Sequence, residues 1–170
     1  LARETHRSDP FGPVTRRIDF ALKFVALFFL LRAFAWGTRN PLALHIADVL
    51  AGSLPLVSLH VAEGLLRRHA PQWLKLTLIA GPALLVLAKL LPFAPTKVAD
   101  SILIATVLGG YISVAALLWR RDTRSLTVAE NSNIRRVLLA LLILTPLIMT
   151  DFRSIWSDAP VRLGAVGALL

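Results

Sequence analysis

Between Ile18 and Thr150 the sequence carries five apolar runs, each set off from the next by a short polar connection. A helix crosses about 30 Å of hydrocarbon with roughly 20 such residues, and most of these runs approach that length. A water-soluble chain of 170 residues has no core large enough to hide five of them. Lipid is the solvent that fits the pattern. It also restricts the backbone, because hydrocarbon offers no partner to an unpaired N–H or C=O and only helices or closed barrels satisfy them all. Composition agrees: 56% of residues are hydrophobic and 17% are charged, against about a quarter charged in soluble domains.

The expected fold is therefore an all-α integral membrane bundle. Its five full spans are expected near Ile18–Trp36, Leu42–Leu66, Trp73–Leu91, Val98–Trp119 and Val137–Thr150. Residues 1–17, with Pro10, Gly12 and Pro13, read as a solvated cytoplasmic segment, and residues 18–170 as the membrane domain. Val161–Leu170 reads as a sixth span begun, too short to cross as a helix.

The basic residues orient the spans. Arg3, Arg7, Arg16 and Arg17 precede the first, Arg67 and Arg68 follow the second, and Arg120, Arg121, Arg124, Arg135 and Arg136 lie between the fourth and fifth. The alternate connections hold only Arg39, Lys97 and Arg153. Positive charge is retained on the cytoplasmic side, which puts the N-terminus inside. The net charge of +9 is thus explained by topology. It forms no patch for nucleic acid, and none is expected as a partner.

The second run is unusual, because it carries His45, Asp48, His60 and Glu63. Ionisable groups in hydrocarbon are costly and usually face protein or water. At about 100° per residue, His45, Gly52 and Glu63 share one side, with Asp48 and His60 about 60° to either side. Ala43, Ala47, Leu50, Leu54, Val57, Val61 and Leu66 gather opposite, as an expected lipid face. His45–Asp48 and His60–Glu63 each span three residues, a spacing that lets both side chains hydrogen-bond or ligate together. The two histidines are about 22 Å apart along the axis, so one metal cannot use both. The four residues are candidates for a ligand-binding or proton-linked site, or for polar pairs that only hold the bundle. Whether they hold a metal or another cofactor is open at this point.

Smaller signals are structural. Phe20, Phe24 and Phe28 form an aromatic stripe for lipid or helix packing, and Lys23, Arg32, Lys75 and Lys89 lie near span ends, where long side chains snorkel. Pro55, Pro82 and Pro146 mark expected kinks. Ser101, Ala105, Gly109 and Ser113 recur every fourth residue and are the expected seam for close helix packing. No phosphate-cradling glycine loop and no nucleophile elbow occur, and there is no cysteine. That leaves nothing on which to build a soluble-type active site or thiolate catalysis.

At the C-terminal end, Arg135-Arg136 lead an apolar span through LTPLIMTD to Asp151, and PVRLGAVGALL follows. This quarter of the chain, Arg162-Leu163-Gly164-Ala165-Val166-Gly167 above all, resembles the multi-span membrane input regions of bacterial sensory and transcription regulators. The resemblance implies a bacterial inner-membrane sensor or accessory module. Those families also carry a cytoplasmic output domain, and these 170 residues contain none. The leading expectation is a non-enzymatic input or scaffold module in the bilayer, binding an apolar ligand or partner helices. A transporter using the polar stripe, or a cofactor-bearing subunit using His45 or His60, are the rivals.

Overall fold

The computed structural model describes residues 13–90, 96–120 and 126–151, and these form five helices with no strand. They are α1 (Pro13–Thr38), α2 (Pro41–Leu66), α3 (Gln72–Leu90), α4 (Thr96–Trp119) and α5 (Val128–Asp151). The all-helical expectation holds. By length and composition three of the five, α2, α3 and α4, are apolar enough to cross a membrane. The outer helices are more mixed. Arg16, Arg17, Asp19, Lys23 and Arg32 interrupt α1, and the apolar part of α5 begins only after Arg136.

Caps explain most of the boundaries. Proline suits a first helical position because its missing N–H would have no partner there, and α1 opens on Pro13. It therefore starts inside the segment expected to be a solvated tail. Asn40 caps α2, its side chain accepting from the backbone N–H groups of Leu42 at 3.0 Å and Ala43 at 3.3 Å, with Pro41 following. The helix ends at Arg67 in the left-handed region (φ 49°), where its N–H donates to the Gly64 carbonyl and that of Arg68 to Glu63. Arg39 (φ 54°) makes the same kind of stop after α1.

The start of α5 lies well before the expected span because Thr127 and Glu130 form a reciprocal cap. The Thr127 N–H and hydroxyl both donate to Glu130 Oε2 at 2.9 Å, and the Glu130 N–H returns a bond to the Thr127 hydroxyl oxygen. The Arg67 guanidinium reaches Glu130 Oε1 at 2.6 Å and ties this cap to the end of α2. The bonds from Thr127, and then the Arg67 charge, hold the Glu130 carboxyl below the usual carboxylate range. A group whose pKa falls on folding stabilises the fold above its unfolded value and loses that contribution as pH falls through the folded one. Thermal stability is therefore expected to decline below the ordinary carboxylate range, and Glu130→Gln should flatten that decline. A scan of melting temperature against pH checks it.

Helix α2 runs antiparallel to α1 and α3, as the Arg17–His60, Glu63–Lys75 and Asp48–Lys89 contacts require, and it is the centre, packed against α1, α3 and α4. One apolar cluster runs through them, with Leu59, Leu85, Val107, Val114, Leu118 and Ile134 among its most buried members. The middle of the bundle is knitted by small residues and prolines. Gly52 of α2 faces Pro82, Leu85 and Leu103 at ordinary contact distance. A Cβ on Gly81 of α3 would overlap the Thr106 side chain, and one on Gly110 of α4 would overlap Pro55. Close backbone approach of this kind holds helices together where lipid gives no hydrophobic drive. Helices α2 and α3 continue through Pro55 and Pro82 as single elements.

Two expectations are corrected here. Among the described residues the Ser101–Ala105–Gly109–Ser113 ladder is not the close seam: Ser101, Ala105 and Gly109 are exposed, and a Cβ on Gly109 would meet nothing described within 4 Å. The serine hydroxyls fold back onto the carbonyls of Lys97 and Gly109 of their own helix. The seam is one residue on, at Gly110, about 100° around α4. The expected lipid face of α2 is also largely covered. Ala43, Ala47 and Val57 are buried and Leu50, Leu54 and Leu66 pack on the core, because a central helix has neighbours on most sides.

Large apolar side chains cover the outside. On α3 alone, Trp73, Leu76, Ile79, Leu84, Leu87 and Leu90 are more than half exposed. A contiguous apolar surface of that extent is rare on a chain surrounded by water, and lipid matches it. Trp36, Trp73 and Trp119 stand exposed at helix ends, where amphipathic rings sit at head-group depth. The Phe stripe divides: Phe28 enters the core, while Phe20 stays outside against Phe24 and His60. Arg32 lies over the rings of Phe28 and Trp36, each 5.7 Å away.

Candidate functional site

The four ionisable residues of α2 do not assemble into one site. They divide between its two ends, and each carboxylate takes a lysine from α3.

At one end, Glu63 is buried, with 6% of its surface exposed. A carboxylate there must have its oxygens filled. Oε1 lies 2.6 Å from Lys75 Nζ and accepts the Ala70 N–H at 2.7 Å. His69 and Arg17 stand at the outer limit of ion pairing, 3.9 and 4.0 Å away. Glu63 thus fastens three elements: α2 that carries it, the 67–71 turn through Ala70, and α3 through Lys75. Arg17 approaches from α1 and also donates to the His60 carbonyl at 3.1 Å. His60 itself is exposed and packs edge-on against Phe20, so the His60–Glu63 spacing produces no pair.

At the other end, Lys89 Nζ lies 2.7 Å from Asp48 Oδ2, and both side chains are mostly buried. The same nitrogen is 3.1 Å from His45 Nδ1. With Lys89 protonated it donates to both, which leaves the His45 ring proton on Nε2. The His45–Asp48 spacing is thus bridged by a third residue. Asp100 of α4 is in electrostatic reach of both Lys89 and Asp48. Three helices therefore meet through charge at this end, with two carboxylates, one ammonium and one imidazole.

Lys75 and Lys89 are the residues that reading the sequence missed, having been taken for snorkelling chains. A signal was present. Glu63 and Lys75 stand six residues to either side of His69, and Asp48 and Lys89 about twenty to either side. Antiparallel helices joined by a short turn bring mirror positions to the same depth. Both acid–base pairs obey that mirror.

Among the described residues no group of three or more His, Asp or Glu side chains could hold a metal ion. The described recess of about 450 Å³ is elsewhere, at the α1–α2 turn, lined by Ala35, Trp36, Arg39, Asn40, Pro41 and Leu44. It is open and mostly apolar, and it does not touch the Asp48 cluster. Every buried side-chain nitrogen or oxygen among the described residues has a hydrogen-bond partner. Tyr111, buried in α4, bonds Ser58 of α2 in this way. The segment from Arg162 that carries the resemblance to membrane input regions lies outside the described residues. Comparison with protein families, with curated proteins and with solved structures returns no match for this chain.

Proposed function

We propose that the chain is a non-catalytic multi-pass module of a bacterial inner membrane, five spans with the N-terminus in the cytoplasm, that serves as a membrane input or scaffold for partner helices or an apolar ligand. The observation that carries this reading is the pairing of both carboxylates of the polar stripe within the bundle. Glu63 and Asp48 are each held by a lysine of α3 at 2.6 and 2.7 Å, so their negative charge is spent inside the bundle. A substrate-binding or proton-carrying carboxylate needs an open lone pair and a path to water. The outward faces fit docking better. Ser101, Ala105 and Gly109 give α4 a smooth exposed strip against which another helix could close.

The Asp48 end supports one alternative, a proton-linked protein, because His45, Lys89, Asp48 and Asp100 form a titratable group of four. The test separates the two. In vesicles carrying a pH-sensitive dye and an imposed gradient, the protein is expected to add no proton flux. Asp48→Asn should keep the Lys89 hydrogen bond while weakening the fold modestly. A flux that Asp48→Asn abolishes without unfolding the protein would establish the alternative. The charge swap Asp48→Lys with Lys89→Asp should recover much of the stability lost in either single change, which is expected of a structural pair.

A further inference from the structure

We propose that the Glu63 end of the α4–α5 pair, built by Trp119, Arg120, Arg135 and Arg136, is a binding surface for the head groups of anionic phospholipids. It rests on the membrane reading above and adds to it a lipid class and a place. The acidic groups at this end are already in use. Among the described residues the carboxylates here are Asp19, Glu63 and Glu130. Asp19 pairs with Lys23 at 2.7 Å, Glu63 with Lys75, and Glu130 with Arg67 and the Thr127 cap. Arg120, Arg135 and Arg136 are exposed and have no acidic partner among the described residues. The described residues of this end thus carry three exposed guanidinium groups that none of its carboxylates pairs.

Their setting points to lipid. Leu118 and Ile134 are both fully buried in the same core, and Arg120 and Arg135-Arg136 follow them within two residues in sequence. Arg135 and Arg136 sit about 10 Å along α5 from its first residue, so their long side chains can extend toward the head-group layer while their stems cover apolar surface. Trp119, next to Arg120 in sequence, is 72% exposed, and an indole at a helix end of this kind marks the polar–apolar boundary. Guanidinium groups present planar paired donors that match phosphate oxygens. A phosphodiester without a compensating choline charge is the chemistry such a surface selects. The opposite end has Arg39 exposed at the α1–α2 turn and Lys97 exposed in the first turn of α4, and gathers no comparable group among the described residues.

The test uses the purified protein in bilayer discs of phosphatidylcholine with rising fractions of phosphatidylglycerol, reading lipid retained by native mass spectrometry and melting temperature. The native chain should retain phosphatidylglycerol over phosphatidylcholine. Each guanidinium removed should weaken that preference by about fivefold. Arg120→Gln, Arg135→Gln and Arg136→Gln combined should erase it, the Arg→Lys versions should keep part of it, and Arg39→Gln at the far end should leave it intact. Should the triple variant not fold, Arg136→Gln alone still carries the expected loss. Equal retention of the two lipids by the native chain would overturn the proposal, as would a variant without these arginines that keeps the preference. Inorganic phosphate matching phosphatidylglycerol in raising the melting temperature would also overturn it, because the site would then read free anion and not lipid. Failure of the native chain to enter phosphatidylcholine discs at all would instead contradict the membrane reading.

Discussion

Glu63→Ala is expected to be among the most damaging single changes in the chain. It removes a carboxylate that is 6% exposed and leaves two groups without their partner: the Lys75 ammonium, now 2.6 Å from nothing, and the Ala70 N–H. Breaking a buried charge pair by deleting one member costs about 3–5 kcal/mol, mostly as the penalty on the charge left behind. Lys75 is about one-third exposed, so it can partly turn to the head-group layer, and the lower part of that range applies. Glu63→Gln keeps an acceptor for Ala70 and loses only the charge, and should cost less. Glu63→Gln with Lys75→Met should cost less than Glu63→Ala alone, because no unpaired charge remains. Melting in detergent, with the singles and the double compared as a cycle, checks this. Equal loss in Glu63→Ala and the double would show that the pair contributes nothing beyond its volume.

Gly110→Leu should prevent the bundle from closing, while Gly109→Leu leaves it intact. Even the first added carbon at Gly110 would overlap the Pro55 ring and crowd Leu78. Pro55 is fully buried and its ring cannot swing aside. Inserting one methylene into a close-packed core commonly costs about 1–3 kcal/mol, and a leucine adds several carbons against a rigid ring. Gly109, its neighbour, faces open space. The expected outcome is loss of folded yield for Gly110→Leu and near-native melting for Gly109→Leu in the isolated protein. A partner helix on the exposed strip would appear separately, as loss of association in Gly109→Leu without loss of stability.

The contrast between these two glycines indicates how far the sequence could be read. Apolar runs of membrane length predict the helices because the signal is large and one-dimensional: every residue contributes and none needs a partner. Which face of α4 turns inward depends on a rotation of 100°, and the small-residue ladder from Ser101 to Ser113 lies on the face that the described helices leave exposed. Nothing local distinguishes Gly109 from Gly110; the difference is made by Pro55, some fifty residues earlier. The polar stripe on α2 was legible as four residues that need partners, but the partners lay on α3. His45 and His60 illustrate the limit, since both share a helix face with a carboxylate and neither is chiefly paired to it. The Thr127–Glu130 cap was legible in principle from its spacing, and it moves the start of α5 back from Val137 to Val128.

The proposed topology has five crossings with the cationic connections in the cytoplasm. The absence of cysteine makes a direct test available, because single cysteines can be introduced on a silent background. Cysteines replacing Arg39, Arg68, Lys97 and Arg124 would be probed in intact cells with a membrane-impermeant thiol reagent. Labelling from outside is expected at positions 39 and 97 only, with 68 and 124 reacting once the membrane is opened. Labelling of position 68 in intact cells, or protection of position 97, would contradict it.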